Sequence, residues 1–205
     1  MSEFDDGLVA PALHSAHSRR SFLDLMVRVG LTGATATAVL GGFPDAAMAA
    51  TQDSWRFCNK CHGLFFNGYP NKGRCPAGGG HVAQGYNFVL PYAVSESPQA
   101  QGAWRFCAKC QIMFFDGYPQ KGVCPGGGGH AAAGYVFVLP HDVRVSGLNQ
   151  GAWRFCNRCD AMFYDGYSNK GRCPAGGGHV AQGYNFVLRF RGNLEDDVVL
   201  NPVHE

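Results

Sequence analysis

Three cysteines and one histidine recur three times at identical offsets: Cys58, Cys61, Cys75, His81; Cys107, Cys110, Cys124, His130; Cys156, Cys159, Cys173, His179. Each set is spaced C-x₂-C-x₁₃-C-x₅-H, and together the sets use all nine cysteines of the 205-residue chain. Three thiolates and one imidazole form a tetrahedral zinc donor set, so three zinc ions are expected, one per set. Four protein donors leave no open coordination position, which points to structural rather than catalytic metal. The x₅ gap before each histidine is longer than a minimal knuckle and makes the histidine the least constrained ligand. One rival is a disulfide in each CxxC that leaves Cys75, Cys124 and Cys173 free or cross-paired; another is thiolate-bound iron. A redox-active CxxC favours the start of a helix, whereas these pairs are flanked by strand and turn signals.

Trp55, Trp104 and Trp153 stand 49 residues apart, a fixed period that marks a repeat architecture. Within each unit a short apolar segment enters the CxxC. A strand-like run (Leu64-Phe65-Phe66 in the first copy) follows, then a turn at Asn67-Gly68-Tyr69-Pro70. The third cysteine, a glycine run and a strand at Tyr86-Asn87-Phe88-Val89-Leu90 complete the unit. In that last strand Tyr86, Phe88 and Leu90 alternate with Asn87 and Val89, which predicts one apolar face. No window has helical periodicity. The expected class is all-β, with three tandem zinc-ribbon-like repeats of 49 residues. Gly78-Gly79-Gly80 suits backbone wrapped round a ligand knuckle; it is no phosphate loop, because no helix signal follows it. Residues 55–90 alone are too few to hold a fold by burial, and a structural zinc supplies about 10–16 kcal/mol in zinc-finger peptides. The boundaries read as 50–103 for the first repeat, 104–152 for the second and 153–205 for the third with a closing segment around Val198-Val199-Leu200. The connections at 91–103 and 140–152 are equal in length and strand-bearing. They fit a packed body of β-trefoil-like pseudo-threefold symmetry; ribbons strung as beads are the alternative.

Residues 1–49 read as an address. Ser18-Arg19-Arg20-Ser21-Phe22-Leu23-Asp24 resembles a twin-arginine export signal, with Asp24 where a lysine is common. A modestly apolar stretch at 29–43 and a small-x-small site at Ala47-Met48-Ala49 follow. The stretch falls short of the roughly 18 residues of a spanning helix, so no stable membrane span is expected after cleavage. The resemblance implies passage through the twin-arginine machinery to the periplasm or exterior. Such export carries proteins already folded, so thiols can take metal in the cytosol before crossing to where disulfides form. Residues 50–205 carry a formal charge of +4, and three zinc sites on three thiolates each lower it to about +1. That field is too weak to argue for nucleic acid or an anionic membrane.

Several side chains recur with no evident structural role. They are Trp55, Trp104 and Trp153; Tyr69, Tyr118 and Tyr167; and Gln84 and Asn87 with Gln182 and Asn185. The second copy has Ala133 and Val136 at those last positions, so two sites would be equipped and one degraded. These are the candidate ligand-binding residues, although one large apolar anchor per small unit would also place the tryptophans in a core. Lys60, Lys109 and Arg158 lie inside the knuckles and screen thiolate charge. No nucleophile with a base, no recurrent carboxylate pair and no zinc-protease motif occurs, so no enzyme activity is expected. The string WRFCxKCxxxFFxGYPxKGxCPxGGGHxxxGYxFVLP resembles tandem repeats of secreted bacterial proteins, where similar units stand alone or are appended to hydrolases. The resemblance covers residues 54–190 and implies an accessory or binding role. The expected function is an exported, zinc-stabilised, multivalent binding module whose target is a glycan or other cell-envelope polymer. An extracytoplasmic metal-handling protein, or an enzyme with an unrecognised metal site, are the alternatives.

Overall fold

The computed structural model describes residues 50–192; the candidate signal at 1–49 and the closing segment around Val198 lie outside the described residues. Nine strands follow in order: β1 (Ala50–Cys58), β2 (Leu64–Phe66), β3 (Ala83–Tyr92), β4 (Ala100–Cys107), β5 (Met113–Phe115), β6 (Ala132–Pro140), β7 (Asn149–Cys156), β8 (Met162–Tyr164) and β9 (Ala181–Arg191). Among the described residues there is no helix. Each unit is one antiparallel three-stranded sheet in which the first long strand pairs with the short strand on one side and with the second long strand on the other. The hairpin layout expected of a zinc ribbon is therefore present three times.

The units close on one another in a cycle. Tyr92 of β3 pairs with Phe137 of β6, His141 with Phe186 of β9, and Phe190 of β9 with Phe88 of β3. Three further hydrogen bonds run the same way round: Phe66 N–H donates to Gln111 O, Phe115 N–H to Asp160 O, and Tyr164 N–H to His62 O, at 2.9 Å each. The 49-residue period is thus expressed as a packed, nearly closed pseudo-threefold barrel, not as beads. The ring pairs the long strands with one another and so limits the open edges that would recruit other chains.

Two apolar layers fill this body. One holds the three tryptophans with Phe88, Phe137 and Phe186, Leu90, Leu139 and Leu188, and Leu64, Met113 and Met162. Each tryptophan meets the next unit's phenylalanine edge-on, with ring centroids 5.2 Å apart for Trp55–Phe137, 5.0 Å for Trp104–Phe186 and 5.1 Å for Trp153–Phe88. This is a favoured aromatic geometry. The other layer holds the nine cysteines with Phe65, Phe114 and Phe163.

The alternation read in the last strand of each unit holds only in part. Phe88 and Leu90 are buried, but Tyr86 is exposed and stacks on Phe190 across the β3–β9 junction at 3.7 Å. Val138 and Val187 are buried as well, so the strand is covered on both faces where it enters the ring. In the third unit Val187 lies near Gly151, which also abuts Val145 of the preceding connection. The period of two breaks because neighbouring segments, absent from any local view, cover the outer face.

At the metal end the short strands β2, β5 and β8 touch pairwise. The bridges are Gly63 with Phe163, Phe65 with Ile112, and Phe114 with Ala161. Gly63, Ile112 and Ala161 are equivalent positions, and a Cβ on Gly63 would lie 2.2 Å from Ile112 Cδ1. One large side chain fits where the units converge, and the other two copies are small to admit it. Gly63→Ile alone should therefore destabilise by roughly 3 kcal/mol, the upper end of overpacking penalties. Combining it with Ile112→Gly should restore most of that loss. Denaturant unfolding of the two single variants and the pair, read as a double-mutant cycle, measures this coupling.

Candidate metal centres

The CxxC turn of the first unit is held by Cys58 N–H donating to Gly63 O at 3.0 Å and His62 N–H donating to Cys58 O at 2.8 Å. The second arm is a tight turn at the third cysteine, with Cys75 N–H on Gly79 O and Gly78 N–H on Cys75 O. Gly78 and Gly79 both have positive φ there. The same bonds recur in the other units. Lys60 and Lys109 reach across to the glycine-run carbonyls, Gly78 and Gly80 or Gly127 and Gly129, and Arg158 reaches Ala175 and Gly176. These cations tie the two arms of each site together, a more specific role than screening the thiolates.

Each arrangement brings three Sγ atoms and one histidine nitrogen within 4.8 Å of one another, with all four residues buried. Zinc bonds of about 2.3 Å to sulfur and 2.05 Å to nitrogen in a tetrahedron require edges of roughly 3.8 Å and 3.6 Å. The observed Sγ–Sγ separations are 3.8 Å for Cys107–Cys124 and 4.0 Å for Cys156–Cys173. The Sγ–Nδ1 separations are 3.4 Å for Cys61–His81 and 3.5 Å in each of the other two units. The donor sets therefore fit one zinc ion each, three in all. These sulfurs stand far outside the roughly 2.05 Å of a disulfide, and all nine cysteines are free.

The histidines are held from two sides. His81 stacks on Phe65, His130 on Phe114 and His179 on Phe163, with centroids 4.7–4.8 Å apart. Each Nε2–H donates to a carbonyl of the next unit's knuckle: His81 to Cys110 O at 3.1 Å, His130 to Cys159 O at 3.0 Å, and His179 to Cys61 O at 3.1 Å. A neutral imidazole that donates from Nε2 presents a lone pair at Nδ1, the nitrogen facing the cysteines. Metal-site histidines commonly carry such an outer partner. Here that partner belongs to another repeat. Backbone N–H groups also point at sulfur: Val82 at Cys58 and Ala131 at Cys107, both 3.4 Å, and Gly126 at Cys124, 3.3 Å.

The remaining ligand-binding candidates divide sharply. The tryptophans cannot meet a ligand: all three are fully buried, and each indole N–H is satisfied by the glutamine three residues earlier (Gln52, Gln101, Gln150). Asn87 and Asn185 are backbone caps, accepting at 2.8 Å from the N–H of Ser54 and of Ala152. Both of those residues have positive φ at the bulge before the tryptophan. Val136 of the second unit offers no such cap; there Glu96 takes the N–H of Gly102. Tyr69, Tyr118 and Tyr167 are half exposed, and Gln84 and Gln182 are exposed. His62, Gln111 and Asp160 look unrelated as residue types and are absent from the candidates above. They are one equivalent position, buried, with φ of 61–65°, whose carbonyls make the ring bonds already described. Burial lowers the pKa of His62 and raises that of Asp160. The signal was their shared offset of one residue after the CxxC, hidden by unlike side chains.

Comparison of the chain with protein-family models, with curated proteins and with solved structures finds no match.

Without metal the clusters hold their protons unevenly. The contact with Cys58 and burial hold the Cys61 thiol well above its usual pKa, and the contact with Cys61 drives Cys58 well below it. Burial alone would lower His81, but contact with Cys58 and Cys75 outweighs it and raises the imidazole to about 9, as in the other two units. Below that pH a metal-free histidine is protonated, so zinc uptake must displace its proton together with that of Cys61. Apparent zinc affinity should therefore rise with pH through neutrality. Calorimetry in two buffers of different ionisation enthalpy should detect proton release, and elemental analysis of native protein should give three zinc per chain. Gly73→Ala should separately destabilise by more than about 2 kcal/mol, because a Cβ there lies 2.2 Å from Cys110 O on a backbone of φ +63°. Gly85→Ala, also at positive φ but in open space, should cost only the backbone term of about 1–2 kcal/mol; thermal unfolding compares the two.

Proposed function

We propose that the chain is an exported binding module, multivalent by triplication, whose three zinc ions serve folding and whose target is a glycan or other cell-envelope polymer. The observation that carries this reading is the placement of Tyr69, Tyr118 and Tyr167. Each is 50–53% exposed, and each packs at a unit boundary, against Phe106, Phe155 and Phe57 respectively, with centroids 6.0 Å apart. Three half-exposed phenols on a rigid ring can engage a repeating polymer at several points at once. Weak individual sites then gain avidity without new contacts. Exposed aromatic rings beside amide side chains suit the mixed apolar and hydroxylated faces of sugars. Metal delivery is the weaker reading, because every ligand is at most 5% exposed and closed four-donor sites favour retention. Catalysis is not part of the proposal.

Zinc-loaded protein incubated with insoluble peptidoglycan, chitin and cellulose should co-sediment with at least one of them and be released by soluble fragments of the same polymer. Failure to co-sediment with any envelope fraction would overturn the reading.

A further inference from the structure

The boundary between the second and third units carries an open cleft of about 450 Å³. Tyr118 and Gln120 line it from one side, and Phe155, Asn157, Asp160 and Gln182 from the other. This volume lies within the ordinary range of small-molecule sites. The polar groups come from two different units, so the cavity exists only in the closed ring. Arg158 also borders it, but its guanidinium donates to Gly176 O at 2.7 Å and Ala175 O at 2.9 Å. Its hydrogen bonds are committed to the metal arm.

The other two boundaries repeat the same frame with different contents. Between the third and first units, Tyr167 stands 6.0 Å from Phe57 and 5.6 Å from His62, with Asn59 and Gln84 at the positions equivalent to Asn157 and Gln182. His62 is 92% buried, and its Nδ1, like Oε1 of the equivalent Gln111 at the first boundary, has no hydrogen-bonding partner among the described residues. A buried polar atom left unpaired is costly, and the backbone role of this position needs no imidazole. At the boundary between the first and second units, Tyr69 and Phe106 keep the rim, and Asn71 and Gln111 stand at the positions of Gln120 and Asp160, but Ala108 and Ala133 replace the amides equivalent to Asn157 and Gln182. The rim is constant; the amide pair at the Asn157 and Gln182 positions is present twice and missing once.

Amide side chains both donate and accept, a carboxylate or imidazole adds one strong partner, and a phenyl and a phenol offer an apolar face. That combination suits a neutral ring bearing several hydroxyls. We infer that the boundary cleft at Tyr118/Asp160 and the equivalent boundary at Tyr167/His62 are the principal saccharide-binding subsites, and that the boundary at Tyr69/Gln111, which lacks the amide pair, is the weakest of the three. The inference rests on the glycan-binding reading above and names the part of the surface that performs it.

The three tyrosines have matching exposure, and each packs on one ring of its own unit and one phenylalanine of the next, with His62 as an additional neighbour of Tyr167 alone, so the structural cost of truncation should be similar among them. Depletion isotherms of the full zinc-loaded chain on peptidoglycan, chitin and cellulose are the test, with zinc content and far-ultraviolet circular dichroism recorded for every variant. Tyr118→Ala and Tyr167→Ala should each weaken binding about tenfold, as expected on losing one of two linked sites. Tyr69→Ala should weaken it least, by about threefold or less. Ala108→Asn with Ala133→Gln should strengthen it by supplying a third equipped cleft. Equal losses in all three tyrosine variants, or losses in none, while the wild-type chain still binds, would overturn the cleft assignment and leave the glycan reading standing. No binding by the wild-type chain to any of the three polymers would overturn both.

Discussion

Each histidine serves two units at once. Its Nδ1 closes the cysteine cluster of its own repeat, and its Nε2–H bonds to the knuckle carbonyl of the next, three times round the ring. Metal binding and ring closure are therefore one event in physical terms. An imidazole held by zinc at one nitrogen is oriented to donate at the other, and the carbonyl that accepts that hydrogen bond lies on a turn shaped by the next site. The stacked phenylalanine behind each ring removes the remaining freedom. Zinc that stabilises one small unit thereby also organises its neighbour, which answers why units too small to fold by burial form a single body.

Closure also explains why the repeats are not identical. Equivalent positions that lie far apart, such as the tryptophans, repeat without change because each has its own space. Those that converge cannot. Gly63 and the Ile112 side chain share one volume, and their sizes are complementary for that reason. His62, Gln111 and Asp160 do the same backbone work in three places, which leaves their side chains free to differ at the boundaries, one of which opens into a cleft beside Asp160. Divergence among the copies is thus of two kinds, one steric and one chemical.

The metal sets could be read directly because each is confined to a stretch of 24 residues, and the hairpins because turns and aromatic strands are local. The readings that failed needed knowledge of a neighbour. Trp55 suited a core as the large apolar anchor of a small unit, yet stayed a ligand-face candidate until Phe137 of the next unit covered it. Asn87 looked like a surface amide until Ser54, 33 residues earlier, was seen to donate to it. Tyr86 carried the apolar phase of its strand, yet its partner is Phe190, in another repeat.

The chain's order by itself determined three metal sets, short strands in each unit and a 49-residue period, since these depend on offsets within one repeat. Tertiary structure alone decided that the period closes into a ring, that the tryptophans are interior, and that a polar cleft lies between the second and third repeats. Each of those depends on groups in different units, as in the bond from His179 Nε2 to Cys61 O across 118 residues. No local pattern encodes such a pairing; it follows from three equal bodies, each burying its own aromatic face against the next.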